Sequence, residues 1–65
     1  ELKNLLKLSL KQLEEKEALI IQLYFVEELN IYEISEVMSV STGRVSQIKT
    51  NAIKKIRSYI SNKLD

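Results

Sequence analysis

Sixty-five residues, a net charge of +1 and an apolar content of 45% set narrow limits. A chain this short forms one domain at most and buries only about 60% of its unfolded surface, so a few kcal/mol hold it together. It has no Cys and no His, which removes disulfide staples, thiolate metal sites, the commonest general base and the commonest zinc ligand.

Asp occurs once, at the terminus, and the other carboxylates are scattered over positions expected to face solvent. The chain is therefore read as no enzyme, with no cofactor and no metal. Pro is absent and Gly occurs once, so few tight turns are specified and an all-α chain is favoured. The longest mostly apolar window, Ala18 to Val26, falls well short of the ~20 residues of a membrane span. The chain opens on Glu1 with no signal peptide and reads as a segment of a longer cytoplasmic protein.

In chain order, Leu2, Leu5, Leu6 and Leu13 fall near one helical face and predict a linker or N-terminal helix over 1–12. Ser9 with Gln12 three residues on is a candidate capping box that restarts the helix after a bend. Glu14, Glu15 and Glu17 supply the acids a helix start favours, and a second helix is expected over 14–28. Its middle, Ala18 to Val26, has one polar residue in nine. A helix apolar nearly all round is buried on more than one side. Either Ile21, Tyr24 and Phe25 face a partner, or dense packing between the first and last helices covers them.

Asn30 with Glu33 three residues on predicts a reciprocal cap and a third helix over 31–38, with Ile34, Val37 and Met38 as its buried stripe. Ser39-Val40-Ser41 is the turn, with Val40 plugging the core. Ser41 caps a last helix over 42–62, whose apolar positions Val45, Ile48, Ala52, Ile53, Ile56, Tyr59 and Ile60 keep a three-and-four rhythm. The expected fold is a small three- to four-helix domain, with residues 13–65 as its body and a helix-turn-helix within it.

Two features give that helix pair a function. Charge is segregated: residues 1–39 hold four Lys against eight Glu, while 40–64 hold Arg44, Lys49, Lys54, Lys55, Arg57 and Lys63 with no acid. A basic block on the second helix of such a pair is the footprint of a phosphate-binding face, although cations near a helix C-terminus also suit the macrodipole.

Spacing is the second feature. Counted from Ile31, apolar residues occupy the fourth, eighth, tenth, fifteenth and eighteenth places (Ile34, Met38, Val40, Val45, Ile48), with small Ser35 at the fifth. These are the places that hold two helices at about 100–120° across a short turn. The ninth place, where a left-handed backbone favours Gly, is Ser39, a departure costing about 1 kcal/mol if that conformation is kept.

With Val45 and Ile48 inward, Thr42, Gly43, Ser46, Gln47 and Thr50 point outward toward base edges. Gln pairs bidentately with adenine, and Ser and Thr bond either way or touch a thymine methyl, so an A·T-leaning site is expected. Arg44, Lys49, Asn51 and Lys54 flank that face and suit phosphates. The cap at Asn30 leaves N–H groups at a helix start as a further phosphate contact.

Glu27-Glu28-Leu29-Asn30-Ile31, Glu33-Ile34, Arg44-Val45-Ser46-Gln47-Ile48 and Ala52-Ile53-Lys54-Lys55-Ile56-Arg57 together closely resemble region 4 of bacterial RNA polymerase sigma factors. Arg44-Val45-Ser46-Gln47 resembles the flagellar, sigma-28-type branch. Leu13-Glu14-Glu15-Lys16-Glu17 is similar to the Leu-Pro-Glu-Arg-Glu opening of that region, with Glu in place of Pro. The resemblance covers about residues 13–60. It implies a four-helix domain in the bacterial cytoplasm that reads the −35 promoter element and docks on the β-flap of core RNA polymerase through an apolar groove. For the flagellar class it also implies capture by an anti-sigma factor.

By position, Thr42, Gly43, Ser46 and Gln47 take the base-reading places with Arg44 among them, and Asn30 and Ile31 lie at the backbone-contacting helix start. Housekeeping sigmas carry charged residues at the places of Thr42, Gly43 and Ser46, so a different, A/T-rich element is expected. Two other readings stay open on the residues alone: the DNA-binding output domain of a response regulator or small repressor, and a helical protein-interaction module whose basic helix is merely solvated.

Overall fold

The computed structural model describes residues 2–64, and every element among them is helical. Helix α1 covers Leu2–Leu10. Helix α2 covers Glu15–Ile21 and continues as a π-helical turn over Gln22–Val26. Helix α3 covers Ile31–Met38 and α4 Thr42–Leu64. Helix α4 is the spine: α1, α2 and α3 all lie against it, and α3 also meets the π turn.

Of the expected apolar face of α1, Leu2 and Leu6 lie outside the described side chains, while Leu5 and Leu13 are half-buried. Ser9 does not restart a helix. It is fully buried in the last turn of α1, and its carbonyl accepts from the Gln12 N–H at 3.1 Å. The restart comes at Glu14, whose N–H donates to Glu17 Oε1 at 2.9 Å. The capping geometry thus sits five residues later than the Ser9–Gln12 spacing placed it.

The second helix does not stay α-helical to residue 28. The Glu27 N–H donates to the Gln22 carbonyl, a five-residue closure, and the Leu29 N–H reaches Leu23 at 3.0 Å. Glu28 ends the element at φ 58°, the left-handed region, with no glycine to ease it. This wide turn divides the over-apolar window between two environments. Ile20, Leu23 and Tyr24 join the core beneath α3 and α4, and Ile21, Phe25 and Val26 line a groove beside α1.

Ile20, Ile34, Val45 and Ile48 form the centre of that core, with Leu29, Ile31, Met38 and Val40 packed round it. Val37 does not belong to the stripe: it is 60% exposed. At 100° per residue, Ile31, Ile34 and Met38 share a narrow arc, Val37 falls just outside it beyond Ile34, and Tyr32 lies on the other flank.

Ser39 keeps the left-handed conformation, φ 57° and ψ 41°. Its N–H and that of Val40 both close on the Ser35 carbonyl, and the Ser35 hydroxyl donates to the Val40 carbonyl. The turn is therefore fully tied down in a conformation that costs an L-residue roughly 1–2 kcal/mol. Ser39→Gly is expected to raise stability by about 0.5–1 kcal/mol, the relief being partly offset by the freer unfolded chain. A urea titration checks it through a higher midpoint at unchanged slope.

Candidate nucleic-acid interface

Two caps fix the α3–α4 pair. Asn30 Oδ1 accepts from the Glu33 N–H at 2.9 Å, and Glu33 Oε1 accepts from the Asn30 N–H at 3.0 Å. With those two donors engaged, the N–H groups of Ile31 and Tyr32 are the ones in that first turn aimed outward. The Ile31 side chain itself is half-buried against the core, so any backbone contact it makes runs through its amide. At the other helix, Ser41 Oγ accepts from the Arg44 N–H at 3.1 Å.

Beneath α4, Val45 and Ala52 have no exposed surface and Ile48 has 8%. Anchoring this face orients the rest by the helical period. Gly43, Gln47, Thr50 and Lys54 emerge together and are exposed, with Arg44 and Asn51 exposed on one flank. Thr42 and Ser46 do not stand out with them. Both are half-buried, recessed in an open cleft between the starts of α3 and α4 whose other walls are Ile31, Tyr32 and Gly43.

Lys49 departs further from its expected place: its Nζ sits 4.1 Å above the centre of the Tyr24 ring, a cation–π contact that turns it toward the π turn. Arg44 Nη1 donates to Gln47 Oε1 at 2.7 Å, so the two side chains hold each other on the surface before any ligand arrives.

Arg57 is exposed on the same outward stripe, two turns beyond Thr50, and extends the basic line past Lys54. Sequence reasoning counted it in the basic block without placing it. Its offset of seven from Thr50 is the signal that would have done so.

The three residues expected to face a partner divide. Phe25 is 56% exposed and stacks edge-on with Tyr24, ring centres 4.9 Å apart. Ile21 keeps only 8% of its surface and forms the floor of the groove rather than a protrusion. Tyr24 is half-buried between Lys49 and Phe25. Leu10, Ala18, Ile53 and Ile56 complete the groove walls. Among the described residues no cluster of His, Cys, Asp or Glu is placed to hold a metal, and no helix is long and apolar enough to cross a membrane.

The family model for sigma-70 region 4 matches residues 9–58, which takes in the π turn, both caps and the exposed stripe through Arg57. The chain belongs to the sigma-70 region 4 family. It is 41% identical over 54 residues to RNA polymerase sigma factor FliA of Yersinia enterocolitica, covering 83% of this chain and 24% of that protein. To FliA of Escherichia coli K12 it is 42% identical over 52 residues, 80% of this chain and 22% of that one. To the RNA polymerase sigma-D factor of Bacillus subtilis it is 41% identical over 49 residues, 75% and 19%. The chain thus spans about a fifth to a quarter of the curated relatives it matches. No solved structure matches it.

One charge contact of this region 4 domain joins elements 38 residues apart. Lys55 Nζ lies 2.9 Å from Glu17 Oε1, and so ties the start of α2 to the middle of α4. The same oxygen accepts from the Glu14 N–H. That backbone donor first, and Lys55 second, hold the Glu17 carboxyl below its ordinary value, while Glu17 raises Lys55.

A carboxyl lowered in the folded state stabilises the fold above its unfolded pKa, and the contribution is lost as pH falls through the folded one. Stability of the region 4 domain is therefore expected to drop as pH goes below the ordinary glutamate range. Glu17→Gln should flatten that acid limb in melts taken from neutral pH downward. An acid limb of unchanged steepness in the variant would show that other carboxylates set it.

Proposed function

We propose that this domain is the promoter-reading part of a bacterial sigma factor. In this reading it recognises the −35 element with α4 in the major groove and acts in transcription initiation with RNA polymerase in the cytoplasm. The observation that carries the reading is the exposed stripe Gly43, Gln47, Thr50, Lys54 and Arg57 above a sealed anchor of Val45, Ile48 and Ala52, in a segment with six cations and no acid from 40 to 64. A solvated helix needs no such alignment of small polar readers with flanking cations.

The base contacts fall to Gln47 and Thr50 at the front, with Thr42, Gly43 and Ser46 reached through the cleft. Arg44, Asn51, Lys54 and the α3 amides at Ile31 and Tyr32 serve the phosphates. Lys49 joins them only by leaving Tyr24. The element is A/T-rich in this account, because Gln47 reads adenine and no unpaired Arg stands at the front to read guanine.

The apolar groove of Ile21, Phe25, Ile53 and Ile56 is the proposed seat of the polymerase β-flap, and of an anti-sigma factor if the gene class is flagellar. The identities to FliA and sigma-D support that class. Residues 13–65 form the reading domain in this proposal, and 1–12 the helix that connects it onward.

The test is salt dependence. With about four phosphates contacted, log K should fall with log[salt] at a slope near −3.6. Lys54→Ala should weaken all duplexes alike and reduce that slope by about 1. A response flat in salt removes the DNA reading, and a Lys54→Ala loss confined to one base pair removes the phosphate role.

A further inference from the structure

The only glycine of the chain sits in the first turn of α4, where helix propensity disfavours it. Nothing inside the molecule requires it there. Its φ is not positive, and a methyl group built at Gly43 meets no atom within 4 Å beyond its chain neighbours and the local helix backbone. A side chain at 43 would stand in open space, and the residue borders the cleft between the starts of α3 and α4. The opposite wall of that cleft is Tyr32, a large aromatic left 74% exposed with no place in the core. Ile31 and Thr42 add apolar surface, and Ser46 a hydroxyl. An uncharged cleft at the start of a basic reading helix, with one wall kept bare and the other aromatic, suits a small apolar group on a base edge.

We infer that the Tyr32–Gly43 cleft receives the 5-methyl group of a thymine in the recognised element, and that Tyr32 is a specificity residue of this domain. The inference rests on the DNA-reading proposal above and deepens it. A thymine methyl is the one apolar group the major groove presents, and removing it leaves pairing intact. Gly43 leaves room for the base edge to approach, and the Tyr32 ring covers the methyl from the α3 side.

The probe is a duplex selected by this chain from a randomised library, with each thymine replaced singly by uracil. The wild-type chain should lose about fourfold in affinity at one of these positions, the worth of one buried methyl. Gly43→Ala and Tyr32→Ala should each bind the thymine duplex several-fold more weakly, and should no longer distinguish uracil from thymine at that position.

Gly43→Ala should also melt at a higher temperature than wild type, since its added methyl meets nothing in the fold. Weaker binding by a more stable protein is an outcome that a merely structural role for Gly43 does not produce. The inference is overturned if no single uracil matters to wild type, or if both variants keep the wild-type discrimination. It is equally overturned if the variants lose affinity for all sequences alike, which would mark a phosphate contact. A wild-type chain that selects no duplex at all would overturn the DNA reading together with it, whereas salt-dependent selection without methyl sensitivity overturns this inference alone.

Discussion

Ile34→Ala should leave the chain largely unfolded at 37 °C. Ile34 has no exposed surface and sits at the junction of α2, α3 and α4, touching the core that Ile20, Val45 and Ile48 complete. Deleting its outer carbons costs their transfer free energy and leaves a cavity whose walls come from three helices already held by caps and a tied turn. Such changes cost about 2–5 kcal/mol. At roughly 0.05–0.15 kcal/mol per residue, a domain of this length holds a total of the same order. Circular dichroism at 222 nm on warming gives the reading: the variant's transition should lie tens of degrees below wild type or be absent. Val37→Ala is the control. Val37 is 60% exposed on the same helix, so its loss should shift the midpoint by little. Equal effects at the two positions would mean that the inward face of α3 is misassigned.

Gln47→Ala should weaken specific duplex binding by about 1–3 kcal/mol, with the fold intact. The size follows from what Gln47 offers. It is exposed at the front of α4, and its amide carries a donor and an acceptor suited to the adenine edge. Arg44 Nη1 already donates to Gln47 Oε1 at 2.7 Å, which restrains the side chain while leaving a second lone pair on that oxygen and both amide N–H donors for a base edge. The loss should therefore be concentrated at one A·T pair, where the variant's preference for adenine disappears. Arg44→Ala should lower affinity more evenly, since in the proposed reading it removes a phosphate partner, and it also frees Gln47 to rotate. Competition binding against single-base substitutions separates the two. Discrimination left whole in Gln47→Ala would place the base-reading face elsewhere on α4.

Local chemistry made much of this fold legible. The Asn30–Glu33 cap, the Ser41 cap and the inward series Val45, Ile48 and Ala52 each depend on residues three or four apart, which a sequence displays directly. The left-handed turn was readable even with Ser39 in the place of glycine, because the apolar positions on either side fix where the chain must reverse. What escaped was set by distant packing. Val37 follows Ile34 by three residues, so spacing admits it to the stripe, and only the packing of α3 against its neighbours leaves it exposed. The π turn has no marker among Gln22–Val26, since neither Gly nor Pro announces it. The pairing of Glu17 with Lys55 spans 38 residues, and Lys49 lies over a ring contributed by another helix. In the candidate site, the outward order of Gly43, Gln47, Thr50 and Lys54 followed from periodicity. The recessing of Thr42 and Ser46 behind Tyr32 depended on how closely α3 approaches, which no spacing encodes.

Helix α4 runs unbroken for 23 residues, about 34 Å at 1.5 Å per residue. Gly43, Gln47 and Thr50 of the exposed stripe stand on its first half, and Ile53 and Ile56 in its second half wall the apolar groove. With Ala52 sealed between these halves and no hinge in the rod, the yaw of one is mechanically locked to that of the other. Any body clamped in the groove therefore acts as a handle, and aims the opposite end at a fixed bearing and a fixed reach.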